Sequence, residues 1–155
     1  MSTTEHYLQE AVRLARANMM AGGRPFGAVI VRNGEVVATG VNEMVATNDP
    51  TAHAELVAVR AASRKLGSPH LSGAAVYASG HPCPMCMAAM RLAGISEVYY
   101  AYSNDDGAPF GLSTAAIYAD LAKPFAEQSM KIRHVPVRSA GDSGLYQEWA
   151  ARPKG

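Results

Sequence analysis

Three side chains in this sequence could share one metal ion: His53, Cys83 and Cys86. The two cysteines are the only ones in the chain and stand three positions apart, thirty residues beyond the histidine. Structural zinc sites close with four protein ligands, whereas catalytic ones take three and leave a position for water. Glu55, two residues past His53, offers a carboxylate to such a water, so the chemistry to expect is metal-assisted hydrolysis with Glu55 moving protons. Two thiolates and a neutral imidazole cancel the charge of Zn2+, so this metal should acidify water less than a three-histidine site does. A base beside it is then needed. The same residues admit plainer readings. A Cys-x-x-Cys pair at a helix start also serves thioredoxin-like redox chemistry, and it is half of a zinc ribbon. The redox reading leaves His53 and Glu55 without a use, and the ribbon lacks its second cysteine pair.

Two helix starts must bring these residues together. Asn48-Asp49-Pro50 reads as one, with Asp49 as N-cap and Pro50 at the first helical position. His53 and Glu55 then fall in the opening turns of a helix running to about Leu66. Pro82-Cys83-Pro84 reads as the other, with Cys83 near the cap and Met85 to about Leu92 continuing. Cys83 and Cys86 are i and i+3 on one face, and the positive end of the helix dipole favours their thiolate forms. One conflict stands out. Residues two apart on a helix point about 200° apart, so spacing alone does not aim both His53 and Glu55 at one water.

The remaining pattern supplies a scaffold. Apolar residues recur at helical spacing from Glu5 to about Met20, and Gly22-Gly23 ends that helix. Ala28 to Val31 is a buried-type strand. Asn33-Gly34 predicts a two-residue hairpin turn, and Glu35 to Val41 returns antiparallel. Further strands are expected at Ala74 to Ala78, Ser96 to Tyr102 and Lys131 to Val137, the last demoted towards an edge by Pro136. A loop covers Ser103 to Gly111, a helix about Ser113 to Leu121, and a short terminal helix or tail Leu145 to Ala151. Strand–helix–strand alternation implies parallel crossovers, so the expected fold is α/β: a mixed five-stranded sheet with helices on both faces.

Composition narrows the function classes. At 155 residues the chain is read as a single domain, large enough for a proper core. With 14 basic and 13 acidic residues the formal net charge is +1, which gives no strong footprint for nucleic acid. The opening Met-Ser-Thr-Thr-Glu-His has neither a basic nor an apolar stretch, so no signal peptide is expected, and no apolar run suits a membrane span. Two thiols reserved for metal fit a reducing cytoplasm. His6, His70 and His134 are scattered, and Met85, Met87 and Met90 read as core filling.

Thr51-Ala52-His53-Ala54-Glu55 and Pro82-Cys83-Pro84-Met85-Cys86 together form the His-x-Glu and Pro-Cys-x-x-Cys signature of zinc-dependent deaminases. The chain resembles the cytidine-deaminase-like superfamily over nearly its full length. Within it, these stretches and Gly27-Ala28-Val29-Ile30-Val31 are most similar to bacterial guanine deaminases, with tRNA adenosine deaminases as near neighbours. The resemblance implies a three-layer α/β/α sandwich, Zn2+ held by His53, Cys83 and Cys86, and Glu55 as proton shuttle. It also implies that Asn42 hydrogen-bonds the substrate ring and that Phe26, Ala54 and His81 line the pocket. Read as residues alone, Asn42 serves equally as a turn residue, and Phe26 is more often core than a stacking platform. The resemblance further implies a homodimer. In the guanine branch C-terminal segments help close the active site and can exchange between subunits, which gives 140–155 the role of a closing tail and Trp149 that of a substrate contact.

Two departures from the family pattern bear on the substrate. His81 precedes Pro82 where Glu or Ser is common, and its imidazole could alter specificity. Gly111-Leu112-Ser113-Thr114 stands where guanine deaminases carry Gly-Phe-Asp-Asp, so the acid that grips the purine is missing unless Asp105 or Asp106 substitutes. The expected activity is hydrolytic deamination of a free nucleobase or related amino-heterocycle, guanine first, with release of ammonia. A tRNA adenosine deaminase forming inosine is the rival enzyme. From another class, the chain could be an inactive zinc-stabilised binding subunit, for which Glu55 would be idle.

Overall fold

Side chains on the central strands alternate between two faces, and the core divides accordingly. In the computed structural model, which describes residues 1–137, 141 and 144–154, the chain forms two compact units, Met1–Ala119 and Asp120–Gly155. The first unit opens with helix α1 (Thr3–Met20), capped by Ser2, whose hydroxyl accepts from the Glu5 amide. The hairpin β1 (Gly27–Arg32) and β2 (Glu35–Val41) follows. Its turn has positive φ at both central residues, Asn33 at 53° and Gly34 at 76°, the geometry that matches strand twist. After a one-turn helix α2 (Met44–Thr47) come α3 (Ala54–Leu66), β3 (Ala74–Gly80), α4 (Pro84–Leu92) and β4 (Glu97–Tyr102). The stretch expected as a loop after β4 folds into α5 (Asn104–Gly107) and a 3-10 turn (Ala108–Phe110), before α6 (Ala115–Leu121).

The sheet runs β2-β1-β3-β4. β1 is antiparallel to both of its neighbours, while β3 and β4 pair in parallel across the α4 crossover. On one face Ala28, Ile30 and Val76 pack with Ala54, Ala58, Ala62 and Met90 of α3 and α4. On the other Val29, Val31 and Tyr77 pack with Ala11 of α1. Helices therefore cover both faces, as the alternation of elements implied.

Two glycines set how closely the helices approach. A Cβ on Gly27 would lie 2.5 Å from the Ala11 carbonyl oxygen, and one on Gly40 would lie 2.4 Å from the Ala54 carbonyl and 2.6 Å from the Ala58 nitrogen. Gly40 thus lets β2 rest directly against the first turns of α3.

The sheet has four strands among the described residues, not the five expected. The segment 131–137 forms no strand. Pro136 can donate nothing to a ladder, and Val135 and Val137 are 70% and 85% exposed, so no burial rewards extension there. In the second unit a 3-10 turn (Phe125–Glu127) and α7 (Leu145–Ala150) are formed. Asp120 accepts from the backbone and hydroxyl of Ser129 at 3.0 and 2.9 Å. Of the expected closing tail over 140–155, residues 140, 142, 143 and 155 lie outside the described residues. No helix among the described residues is long and apolar enough to cross a membrane.

Candidate active site

Both metal-ligand stretches enter their helices through a cap, and this settles the conflict of direction. α3 begins at Ala54, not at Pro50, because Asp49 is used earlier. Its carboxylate accepts from the Thr51 amide at 2.8 Å and the Thr51 hydroxyl at 2.7 Å. Backbone bonds from Ala52 to Asp49 and from His53 to Thr51 then complete tight turns that delay the helix. His53 becomes the N-cap residue in extended conformation, φ −71° and ψ 154°. The 200° rule governs helical positions, and His53 is not one. Glu55 lies in the first turn of α3, only 6% exposed.

Cys83 is likewise an N-cap residue, φ −71° and ψ 167°, with Pro84 opening α4. Its sulfur accepts from the Cys86 amide at 3.4 Å, which ties the two cysteines together. His53 Nδ1 lies 3.4 Å from Cys83 Sγ and 3.6 Å from Cys86 Sγ. All three potential ligand atoms fall within 4.8 Å of one another. Tetrahedral zinc with its usual bond lengths places a sulfur and a nitrogen ligand about 3.6 Å apart. The cluster fits zinc.

Charge in the cluster is unevenly shared. A hydrogen bond from Cys86, aided by His53 and the Cys86 amide, holds the Cys83 thiol down at about 4 despite partial burial. Cys86 moves upward, because it supplies that hydrogen bond and is itself buried beside Glu55. The His53 imidazole is raised by its bond to Cys83, against the opposing effect of burial. Burial raises the Glu55 carboxyl, a hydrogen bond with Cys86 pulling the other way. A carboxyl biased towards holding a proton, next to soft sulfur and nitrogen donors, suits a group that takes and returns protons.

A cavity of about 60 Å³ adjoins the cluster, lined by residues that include Phe26, Asn42, Ala54, Glu55 and His81. The resemblance had assigned these to the pocket, and the structure brings them together. Asn42 is buried and fixed, its Oδ1 accepting from the Met44 amide at 3.0 Å and its carbonyl from Asn18 Nδ2 at 2.9 Å. This leaves the Asn42 side-chain nitrogen as the group to offer a ligand. Gly80 makes room for Phe26, whose ring would stand 3.1 Å from any Cβ there. The His81 amide donates to the Tyr102 carbonyl at 2.7 Å, and its ring packs on Tyr100 and Tyr118 at 4.7 and 5.5 Å. The Tyr118 hydroxyl donates to the Pro82 carbonyl, bracing the turn that carries Cys83.

Four lining residues lie beyond the pocket groups that the resemblance implies: Arg24, Gly80, Leu112 and Thr114. Arg24 sits between a double glycine and Pro25-Phe26, where a charged residue at the mouth of a strand could have been flagged. Neither Asp105 nor Asp106 lines the cavity. Asp106 instead closes a capping box with Ser103, accepting from its amide at 2.8 Å, and so does not replace the missing acid. Trp149 stands on α7 in the second unit, 62% exposed, while every residue lining the cavity belongs to Met1–Ala119.

Comparison with known proteins agrees with this site. Residues 1–102 match the cytidine and deoxycytidylate deaminase zinc-binding region. The chain is 42% identical to guanine deaminase of Bacillus subtilis over 132 residues, 84% of this chain and 85% of that protein. The crystal structure of guanine deaminase from Bacillus subtilis superposes with a TM-score of 0.90, covering 100% of this chain and 98% of that one at 37% identity. The tRNA-specific adenosine deaminase of Aquifex aeolicus is 31% identical over 139 residues, 89% of each chain.

Proposed function

The chain belongs to the cytidine and deoxycytidylate deaminase zinc-binding family, and on that premise we propose that it hydrolyses the amino group of a free nucleobase or related amino-heterocycle, with guanine as first candidate. The observation that carries this reading is the buried Glu55 carboxylate beside the His53, Cys83 and Cys86 cluster, opening on a small cavity. Zinc held by those three residues supplies the Lewis acidity that makes water a nucleophile near neutral pH. Glu55 accepts a proton from the attacking water and passes it to the ring nitrogen next to the amino-bearing carbon. It then takes the proton of the newly attached hydroxyl and delivers it to the departing amine, so that water and the amino-heterocycle become the oxo-heterocycle and ammonia. The Asn42 side-chain amide orients the ring, and Phe26 lies where a ring could stack.

The similarity to guanine deaminase favours a free base. The balance of 14 basic and 13 acidic residues supports the same choice, because phosphate contacts need clustered cations. In this reading the enzyme is a cytoplasmic homodimer, and Trp149→Ala raises KM through lost substrate contact. Ammonia release from zinc-loaded protein across purines, pyrimidines and amino-triazines tests the proposal. Turnover of at least one free base is expected, at rates nearly constant between roughly 50 and 200 mM salt. Inosine formation in tRNA with no activity on any free base would overturn it in favour of the tRNA enzyme.

A further inference from the structure

Among the described residues, three buried side-chain nitrogen or oxygen atoms lack a hydrogen-bond partner: Arg24 Nε, His81 Nδ1 and Thr114 Oγ1. All three residues line the cavity that contains Glu55. Buried polar atoms are nearly always paired in folded proteins, so unpaired ones gathered around one cavity mark where a ligand's own polar atoms go. Thr114 Oγ1 and His81 Nδ1 can each donate or accept, so the fixed preference among the three comes from Arg24. Arg24 Nε can only donate, and the guanidinium, lying over the Phe26 ring at 5.8 Å, has no acidic partner among the described residues. Asn42, whose Oδ1 already accepts from the Met44 amide, has its side-chain N–H group to offer. Thr114 adds a hydroxyl, its amide held by Asn104 at 3.2 Å. Among the described residues Glu55 is the one carboxylate on the cavity wall, and the proposed reaction uses it.

We propose that this pocket selects amino-heterocycles that present acceptors, ring carbonyls or lone-pair nitrogens, to Arg24 and Thr114. The substrate class is thus an amino-oxo ring, neutral or deprotonated. The inference rests on the deaminase reading above and narrows its substrate.

Four purines that all carry the 2-amino group test it on the zinc-loaded full chain. Guanine and 8-azaguanine bear a ring carbonyl, 2-aminopurine lacks it, and 2,6-diaminopurine carries a donor in its place. The wild type is expected to favour the two oxo rings in kcat/KM. Arg24→Met should lower those values about ten- to hundred-fold, the worth of one hydrogen bond to a charged group, and shift 2-aminopurine far less. Arg24→Lys should recover part of the loss. Calorimetric binding of xanthine, which has two carbonyls and no amino group, should weaken in Arg24→Met by a similar factor. Equal losses on all four bases, a wild-type preference for 2,6-diaminopurine, or turnover confined to a nucleoside monophosphate would overturn the assignment. If none of the four releases ammonia but xanthine binds through Arg24, the acceptor-selecting pocket stands and the deaminase reading falls. If xanthine fails to bind as well, both fall.

Discussion

Glu55 is a carboxyl whose surroundings favour its protonated form, set beside a thiol whose surroundings favour the anion. Burial produces the first effect and hydrogen bonds the second. Glu55→Gln keeps size and burial but removes the exchangeable charge, so the variant should fold, retain zinc and lose about 10²–10⁴-fold in kcat. A parallel assay of zinc content and turnover checks this, and near-normal turnover would sink the role given to Glu55. Cys83→Ala and Cys86→Ala should behave differently. Each removes a ligand, and metal binding is coupled to folding, so zinc, activity and thermal stability should fall together. A cysteine variant fully active without metal would end the zinc reading. Residue types made this chemistry legible in the sequence, because few functions need a lone His-x-Glu and a lone Cys-x-x-Cys. Arg24 was not legible in the same way: an arginine near a strand entrance is ordinary until the fold shows what cavity it lines.

The two capped helix entries decide where those residues point. Asp49 shapes the first by accepting from Thr51, and these hydrogen bonds hold its carboxyl below the usual aspartate range. A depressed folded value contributes stability above the unfolded pKa and loses it as pH falls through the folded one. Asp49→Ala should therefore bind zinc more weakly at pH 7, and its deficit in urea midpoint should narrow as both proteins are taken towards pH 3. A deficit that stays constant across that range would show that the carboxylate is not what matters. Gly40 controls the same entry from below. Gly40→Ala places a methyl against the Ala54 and Ala58 backbone, so α3 must shift, at about 1–3 kcal/mol for overpacking. A melting temperature lowered by about 3 °C or more, with reduced kcat, is expected. At this scale the hairpin, the helices other than α2 and α5, and the parallel crossover are legible in the sequence, all written in local periodicity and turn chemistry. It misplaced the start of α3, since Asp49-Pro50 imitates a cap and only the Thr51 bonds show the aspartate engaged elsewhere. The unformed strand at 131–137 failed for a related reason: alternation is necessary for a half-buried strand, but burial must also be available.

For the molecule as a whole, metal and fold should rise and fall together. A ligand that binds only the folded state stabilises it by RT ln(1 + [L]/Kd). Adding zinc to chelator-treated protein should therefore raise the urea midpoint in step with free zinc, while Cys86→Ala should show no such rise. Equal midpoints with and without zinc would mean that the cluster holds no structural share of the metal's binding energy. Because His53 and Cys83 precede their helices, the directions of these two ligands do not depend on how either helix is rotated about its axis. The outward positions of α3 and α4 are thereby released from catalysis, and Arg64, Ala88 and Arg91, all exposed, are free to drift, whereas Arg60 stays tied to the α3 entry by its bond to the Thr51 hydroxyl at 3.0 Å. Such freedom is what lets one metal centre persist while the surface around it takes on new partners. A saturation library selected for activity should tolerate most substitutions at Arg64, Ala88 and Arg91 and almost none at the two caps.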